Sequence, residues 1–125
     1  MSVVQHEVLV VEDDETLRES IVEYLDDHGH PAIGAVNGRD ALERLESAPA
    51  LPCLILLDLM TPVMDGVAFR REQRQRPRLA DIPVVVVSAF NDIGARTHEL
   101  DVTACLKKPL KLAEVLNIVE TYCSH

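Results

Sequence analysis

Residues 53–66 read CLILLDLMTPVMDG, and no polar residue follows the opening Cys53 until Asp58. Pro49 and Pro52 break the chain just before this segment. A continuous apolar segment of this length is typical of a strand that is covered on both faces, as in a parallel sheet. We therefore predict a buried strand over residues 53–57 that ends at a carboxylate.

The same kind of segment recurs along the chain and alternates with helical periodicity. The predicted strands are residues 6–11, 32–36, 53–57, 82–87 and 103–106. In the first helix Leu17, Ile21 and Leu25 recur every fourth residue, and Gly29 is suited to a left-handed cap. The third helix is predicted over residues 67–74, and the fourth, over 91–100, is weak. Five strand–helix pairs with short connections predict an α/β fold, a five-stranded parallel sheet with helices on both faces.

Length and composition limit the possible classes of protein. The chain has 125 residues, of which 47% are hydrophobic, enough for the core of one domain spanning residues 1–125. No apolar run reaches the roughly 20 residues of a membrane span, and residues 1–7 lack a secretory signal pattern. We therefore expect a cytoplasmic protein with no membrane partner. The formal net charge of −9 argues against direct binding of nucleic acid.

Two residue types form patterns that carry no clear function. Five of the 12 basic residues lie in one short segment: Arg70, Arg71, Arg74, Arg76 and Arg78. A solvated helix face is the favoured interpretation, and a surface for an acidic partner is the alternative. The three cysteines, Cys53, Cys105 and Cys123, are widely spaced and form no Cys-x-x-Cys pair. We expect all three to be reduced, with Cys123 exposed.

Chemistry-bearing side chains follow four of the five predicted strands. Ligands of parallel α/β sheets bind beyond the carboxyl ends of the strands, so these positions define the candidate site. The residues are Glu12, Asp13 and Asp14 after the first strand, Asp58 after the third, Ser88 after the fourth and Lys108 after the fifth. Acids, one hydroxyl and one ammonium are therefore predicted to meet at one rim of the sheet.

This combination favours phosphoryl transfer onto a carboxylate. Crowded carboxylates repel one another, and Mg²⁺, which prefers oxygen ligands, relieves the repulsion. A carboxylate such as Asp58 can attack a phosphoryl group, while Mg²⁺, the Ser88 hydroxyl and Lys108 each bind one of its oxygens. Each residue also has a simpler interpretation, since acids cap helices, and serine and lysine are common in turns and on surfaces. The conjunction of all four positions favours the site.

The segments around these residues resemble the response-regulator receiver domains of two-component signalling, including the chemotaxis regulators that consist of a receiver alone. They are VLVVEDD (8–14), LILLDLMTPVMDG (54–66), VVVVSA (84–89) and LKKPL (106–110), and the resemblance extends over residues 7–122. It implies a flavodoxin-like, doubly wound (βα)5 fold with strand order 2-1-3-4-5. It also implies a signalling domain that assists only its own phosphorylation and dephosphorylation.

The resemblance assigns the acidic residues. Asp58 would accept a phosphoryl group from a histidine kinase or phosphotransfer protein. Asp13 and Asp58 would bind Mg²⁺ directly, together with the backbone carbonyl of Met60, and Glu12 would act through a water molecule. Asp14 would be a helix cap.

It also assigns Ser88 as the hydroxyl that moves toward the phosphoryl group and Lys108 as the salt-bridge partner, followed by a cis bond to Pro109. The downstream protein would bind the face formed by the fourth helix, the fifth strand and the fifth helix. This last predicted helix carries, on one face, Leu112, Val115, Leu116, Val119 and Tyr122.

The sequence departs from the family pattern in the parts that relay a signal to the surface. Cys105 stands where the family usually has Tyr or Phe, and Asp101-Val102 replaces the usual Gly-Ala. Thr61 replaces a common Met, and Phe90 lies two residues beyond Ser88, where it would screen the phosphoryl site. The residues for phosphorylation itself are all present.

Other functions compete with a phosphorylated switch. One is a phosphorylation-independent interaction module of the same fold, and another is a receiver fragment of a larger DNA-binding regulator. A flavodoxin-like mononucleotide binder would need a phosphate cradle where residues 12–15 are all acidic. A phosphatase would need a second Asp at the position of Met60.

Overall fold

The computed structural model describes residues 7–88 and 100–123, within which five strands and four helices lie. The strands are β1 (Val8–Val11), β2 (Ala32–Ala35), β3 (Leu54–Asp58), β4 (Val84–Ser88) and β5 (Ala104–Lys107). The helices are α1 (Glu15–Asp27), α2 (Gly38–Ser47), α3 (Gly66–Arg74) and α4 (Leu112–Cys123). All strand pairs are parallel and follow the order β2-β1-β3-β4-β5, which confirms the predicted topology. The predicted helix over residues 91–100 lies, except for Leu100, outside the described residues.

The two faces of the sheet pack against different helices, because successive residues of a strand point to opposite sides. In β1, Val8 and Val10 belong to the apolar cluster that includes residues of α1 and α4, and Leu9 and Val11 belong to the cluster with α2 and α3. Every residue of β1, β3 and β4 is buried. Helices thus cover both faces, as predicted. In the described ranges, no helix is long and apolar enough to cross a bilayer.

Three helices begin at a residue whose side chain caps the first turn. Asp14, Asn37 and Asp65 precede α1, α2 and α3, and each accepts a hydrogen bond from the backbone N–H three residues later, at 2.9–3.1 Å. Such caps satisfy N–H groups that have no partner within the helix. The prediction that Asp14 is a helix cap is confirmed. Gly29, at φ +83°, follows α1 in the predicted left-handed conformation.

Glycine is required where α3 meets the end of β3. A Cβ atom on Gly66 would lie 2.8 Å from Leu59 Cα and 3.0 Å from the Asp58 carbonyl oxygen, too close for any side chain. The Gly66 N–H donates to the Leu59 carbonyl at 3.1 Å. The helix therefore begins directly against the backbone that carries Asp58, which fixes the exit of the chain from the strand.

The loop between β3 and α3 contains an unfavourable backbone conformation. Val63 has φ +70°, and the Met64 N–H donates to the Pro62 carbonyl at 2.8 Å, which closes a three-residue γ-turn. A β-branched residue rarely adopts positive φ, because its Cβ substituents crowd the backbone. Val63 is also 80% exposed, so little packing offsets this strain.

The prediction that the arginine segment is a solvated helix face is wrong for Arg70. Arg70 is buried, and its guanidinium donates to the carbonyls of Leu100 and Asp101 at 2.9 and 2.7 Å and to Gln73 Oε1 at 2.8 Å. Gln73 is also buried and donates to the Leu79 carbonyl at 2.9 Å. This polar network joins α3 to the segment that precedes β5.

Two further arginines of the segment connect α2 with the region around α3. Arg78 donates to the carbonyls of Leu45 and Ala48, at the end of α2. Arg76 forms ion pairs with Glu46 of α2 and Glu72 of α3, at 3.0 and 3.2 Å. Arg71 and Arg74 are exposed and form no side-chain hydrogen bond or ion pair with the described residues.

The expectation of three reduced cysteines is also wrong. Cys53 and Cys123 form a disulfide with Cα atoms 5.5 Å apart, and Cys123 is buried rather than exposed. The two residues meet because the end of α4 packs beside the start of β3, a contact hidden by their separation of 70 residues. Cys105 on β5 is free and exposed.

Candidate functional site at the carboxyl edge of the sheet

The register of the sheet brings the predicted residues to one edge. Val11 pairs with Leu57, so Glu12 and Asp58 follow neighbouring positions on β1 and β3. Asp58 pairs with Val87 of β4, which places Ser88 one residue further along the adjacent strand. Ser88 in turn pairs with Lys107, the residue before Lys108. Parallel pairing therefore delivers all four strand ends to the same rim, as predicted.

Lys108 bridges the two buried carboxylates of this rim. Its Nζ lies 3.0 Å from Asp58 Oδ2 and 3.1 Å from Glu12 Oε1. Both carboxylate side chains are 4% exposed, whereas the lysine side chain is 26% exposed and reaches the rim from the solvent side. The Lys108 N–H donates to the Ser88 carbonyl at 2.9 Å, which positions the start of the side chain. The bond from Lys108 to Pro109 is cis, as the resemblance implies.

Backbone N–H groups hold the remaining carboxylate oxygens. Asp58 Oδ1 accepts from the Met60 N–H at 3.0 Å, and Glu12 Oε2 accepts from the Asp14 N–H at 3.1 Å. Each buried carboxylate therefore uses one oxygen for Lys108 and the other for its own loop. Charge-assisted bonds of this kind fix a carboxylate more firmly than neutral ones.

Arg18 was not among the predicted residues, yet it contacts the rim. Its Nη1 donates to the Glu12 carbonyl at 2.9 Å and lies 3.5 Å from the Asp13 carbonyl. Its Cδ occupies the space beside Gly34, where an added Cβ would lie 2.8 Å away. Arg18 thus supports the backbone that carries the two acids of the first strand. Arg18 lies one turn into the helix that follows the three acids, but this position alone does not indicate a contact with backbone carbonyls.

The acidic residues fit a divalent cation. Glu12, Asp13 and Asp58 each offer a carboxylate oxygen, and these oxygens lie within 4.8 Å of one another. Asp13 is exposed, so the cluster opens to solvent on one side. An all-oxygen donor set with an open side matches Mg²⁺, which retains several water ligands. The arrangement is compatible with a receiver-type metal site.

Burial and crowding change the proton affinities at the rim. Burial, and the nearby charge of Asp58, raise the pKa of Glu12 from 4.5 to about 7, although the Asp14 N–H and Lys108 oppose the shift. Burial alone would lower the pKa of Lys108, but its bonds to Asp58 and Glu12 outweigh this, and the pKa is raised. The Lys108 ammonium therefore stays charged, and Glu12 is the group of this pair whose protonation changes near neutral pH.

The positions where the sequence departs from the family pattern differ in burial and in hydrogen bonding. Thr61 is buried, and its Oγ1 donates to the Met64 carbonyl at 2.8 Å within the loop after β3. Asp101 has φ +52°, a conformation that favours the glycine usual at this position, and its carbonyl is held by Arg70. Ser88 is buried, Cys105 is exposed, and Phe90 lies outside the described residues.

This chain is similar to known proteins in both its sequence and its fold. A family model of the response regulator receiver domain matches residues 8–120. The response regulator RR06 of Streptococcus pneumoniae is 35% identical over 97 residues, covering 78% of this chain and 42% of that protein. The chain spans about half the length of the curated response regulators it matches.

Solved structures agree closely with this fold. A response regulator receiver protein from Pseudomonas putida has a TM-score of 0.87 at 29% identity, with 96% of this chain and 99% of that chain covered. The phosphorylated cyanobacterial phytochrome response regulator RcpA has a TM-score of 0.83 at 28% identity, with 97% and 96% covered.

Proposed function

Because this chain belongs to the response regulator receiver domain family, we propose that it accepts a phosphoryl group on Asp58 in a Mg²⁺-dependent reaction. Receiver domains are signalling domains of two-component systems, and histidine kinases or phosphotransfer proteins are their general partners. The observation that carries the proposal is the bridge from Lys108 to Asp58 and Glu12 beside the acidic cluster.

Asp58 is the nucleophile of the proposed reaction. A carboxylate oxygen attacks the phosphorus of a phosphohistidine, forming a P–O bond while the P–N bond breaks and the imidazole leaves with the electron pair. The Met60 N–H, at 3.0 Å from Oδ1, keeps the carboxylate oriented for in-line attack. Positioning and charge neutralisation account for most of the catalysis of such a transfer.

Lys108 and Ser88 would stabilise the transferred group. In the present structure Lys108 neutralises Asp58 itself, at 3.0 Å, and after transfer the same ammonium would pair with a phosphoryl oxygen. Ser88 ends the strand adjacent to Asp58 and offers a hydroxyl donor. The backbone bond between Lys108 and Ser88 ties the two donors to one another.

A magnesium ion would be held by Asp13 and Asp58, by the backbone carbonyl of Met60 and, through water, by Glu12. When bound, it supplies positive charge that neutralises the crowded carboxylates and the entering phosphoryl oxygens. The close approach of three carboxylate oxygens supports this assignment.

The remaining features of the proposal concern the whole protein. We propose that residues 1–125 form a single receiver domain, supported by the family match over residues 8–120, and that the protein works in the cytoplasm. Its output would be a change in binding of a downstream protein. The binding face would include β5 and α4, which corresponds to the fifth predicted helix. Cys105 lies exposed on this face where related proteins usually carry an aromatic residue, so the signal would not depend on movement of an aromatic side chain.

Incubation with acetyl phosphate and Mg²⁺ tests the proposed function. We expect a mass increase of one phosphoryl group, lost when EDTA removes Mg²⁺ and lost in Asp58→Asn. Asp65→Asn is the matched control, since Asp65 caps α3 seven residues away and should leave phosphorylation intact. No mass increase with acetyl phosphate or with a cognate kinase would favour the phosphorylation-independent module, which the exposed Cys105 also favours.

A further inference from the structure

The Cys53–Cys123 disulfide lies at the opposite end of β3 from the candidate site. Cys53 directly precedes β3, whose last residue is Asp58, and Cys123 is the last residue of α4. The Cα distance of 5.5 Å is within the range that a disulfide spans without movement of the backbone. The bond therefore fastens the end of the C-terminal helix to the sheet.

The two sulfur-bearing residues differ in access. Cys123 is 4% exposed and belongs to the apolar cluster on the α1/α4 side of the sheet. Cys53 is only partly buried and packs at the border of the same cluster. A thiol from solution therefore reaches the sulfur of Cys53 more readily than that of Cys123.

We propose that Cys53 is a site of thiol–disulfide exchange with low-molecular-weight thiols, and that this exchange fastens or releases α4. The inference does not depend on phosphorylation of Asp58, because it rests on residues at the other end of the sheet. In a reducing compartment the pair would be open, and oxidising conditions would close it.

A small-molecule disulfide is the oxidant that closes the Cys53–Cys123 bond. In closure, the Cys53 thiolate attacks one sulfur of the small disulfide, forms a mixed disulfide and displaces one small thiolate. The Cys123 thiolate then attacks Cys53 Sγ, forms the protein disulfide and displaces the second small thiolate. Two protein thiols are oxidised, one small disulfide is reduced to two thiols, and the reverse steps open the bond.

The consequence for α4 follows from how the helix is anchored. Val115 and Val119 are fully buried and hold the helix against the sheet whether or not the disulfide is closed. Beyond Val119, the buried anchor of the last turn is Cys123 itself. Opening the bond should therefore loosen the last turn while the body of the helix stays docked.

Hydrogen exchange of the complete chain in glutathione buffers tests this inference. The oxidised buffer should give a Cys53–Cys123 disulfide, detected by alkylation and mass spectrometry, and the reduced buffer should open it. Amides in the last turn of α4 should then exchange several-fold faster, while those around Val115 stay protected. Cys105→Ser should change neither result, because Cys105 lies on β5 outside the pair.

A second measurement identifies the attacked sulfur. In oxidised glutathione, Cys123→Ser should carry a glutathione adduct on Cys53, whereas Cys53→Ser should carry little on Cys123. The inference is overturned if wild-type protein forms no intramolecular disulfide in oxidised glutathione, if Cys123 is modified as readily as Cys53, or if exchange in the last turn is the same in both buffers.

Discussion

The Nζ atom of Lys108 lies 3.0 Å from Oδ2 of Asp58, although 50 residues separate the two along the chain. The same ammonium lies 3.1 Å from Glu12, so one lysine serves two buried carboxylates. Among the residues that the structure describes, its removal would leave both without a cationic partner, so the rim depends on this one side chain.

Lys108→Met should lower the free energy of unfolding by about 1–3 kcal/mol, less than for a fully buried pair because the lysine is partly exposed. Urea denaturation without divalent cations measures the loss. Lys107→Met is the matched control, since Lys107 is exposed and has no ion pair in the described ranges. Equal losses for the two variants would contradict the assigned bridge.

Stability without Mg²⁺ should fall as the pH rises from about 4.5 to 7. In this window folded Glu12 keeps its proton while unfolded Glu12 has lost it, so the folded state binds more protons and is disfavoured by rising pH. One such group contributes a slope of up to about 1.4 kcal/mol per pH unit. Relative to wild type, Glu12→Gln should gain stability across this range in urea titrations with EDTA. A constant difference between the two proteins would refute the raised pKa.

Mg²⁺ should raise the melting temperature, because the folded rim binds the ion and the unfolded chain binds it much less. At ten times Kd the gain is about 1.4 kcal/mol. Asp13→Ala should abolish the gain. Asp14→Ala should lower the starting stability by about 1 kcal/mol, since Asp14 caps α1, and yet keep the response to Mg²⁺. A shift that survives in Asp13→Ala would show that the ligand assignment is wrong.

Arg70→Ala should cost about 2–4 kcal/mol, because the carbonyls of Leu100 and Asp101 and the Gln73 side chain would lose their donors inside the protein. Arg71→Ala, one residue along the same helix and exposed, should change stability by less than about 0.5 kcal/mol. Thermal denaturation of the two variants compares them directly, and similar midpoints would restore the interpretation of this segment as a solvated face.

Val63→Gly should raise stability by about 1 kcal/mol, because glycine adopts φ +70° without the crowding of a β-branched side chain. Val36→Gly should instead lower it, since Val36 is exposed but does not have positive φ. Chemical denaturation curves of both variants provide the measurement. A loss at Val63 would mean that its side chain contributes more than its exposure suggests.

The fold and the rim could be predicted because their determinants are local. Apolar runs predict buried strands, and the carboxyl ends of parallel strands meet at one edge, so the sequence alone places Asp58 and Lys108 together. Strand limits differ by one or two residues, because a strand ends where pairing ends rather than where hydrophobicity does. In β3, pairing includes Asp58 itself.

The contacts that could not be predicted involve either backbone groups, which every residue has, or residues far apart in the sequence. Arg70 binds backbone carbonyls, which every residue possesses, so nothing in the sequence distinguishes it from Arg71. Arg18 reaches Glu12 across space that Gly34 leaves free on a neighbouring strand. The pairing of Cys53 with Cys123 depends on where α4 ends against the sheet.

The disulfide also turns the chain from Cys53 to Cys123 into a covalent ring. A protease that cuts the backbone once inside this ring leaves both pieces joined, so Asp58 and Lys108 stay in one molecule until a reductant separates them. A cut between Asp13 and Cys53 leaves no covalent bond between the segment with Glu12 and Asp13 and the ring, so only non-covalent packing still holds the two together. In oxidised protein, the two halves of the rim therefore differ in their tolerance of limited proteolysis.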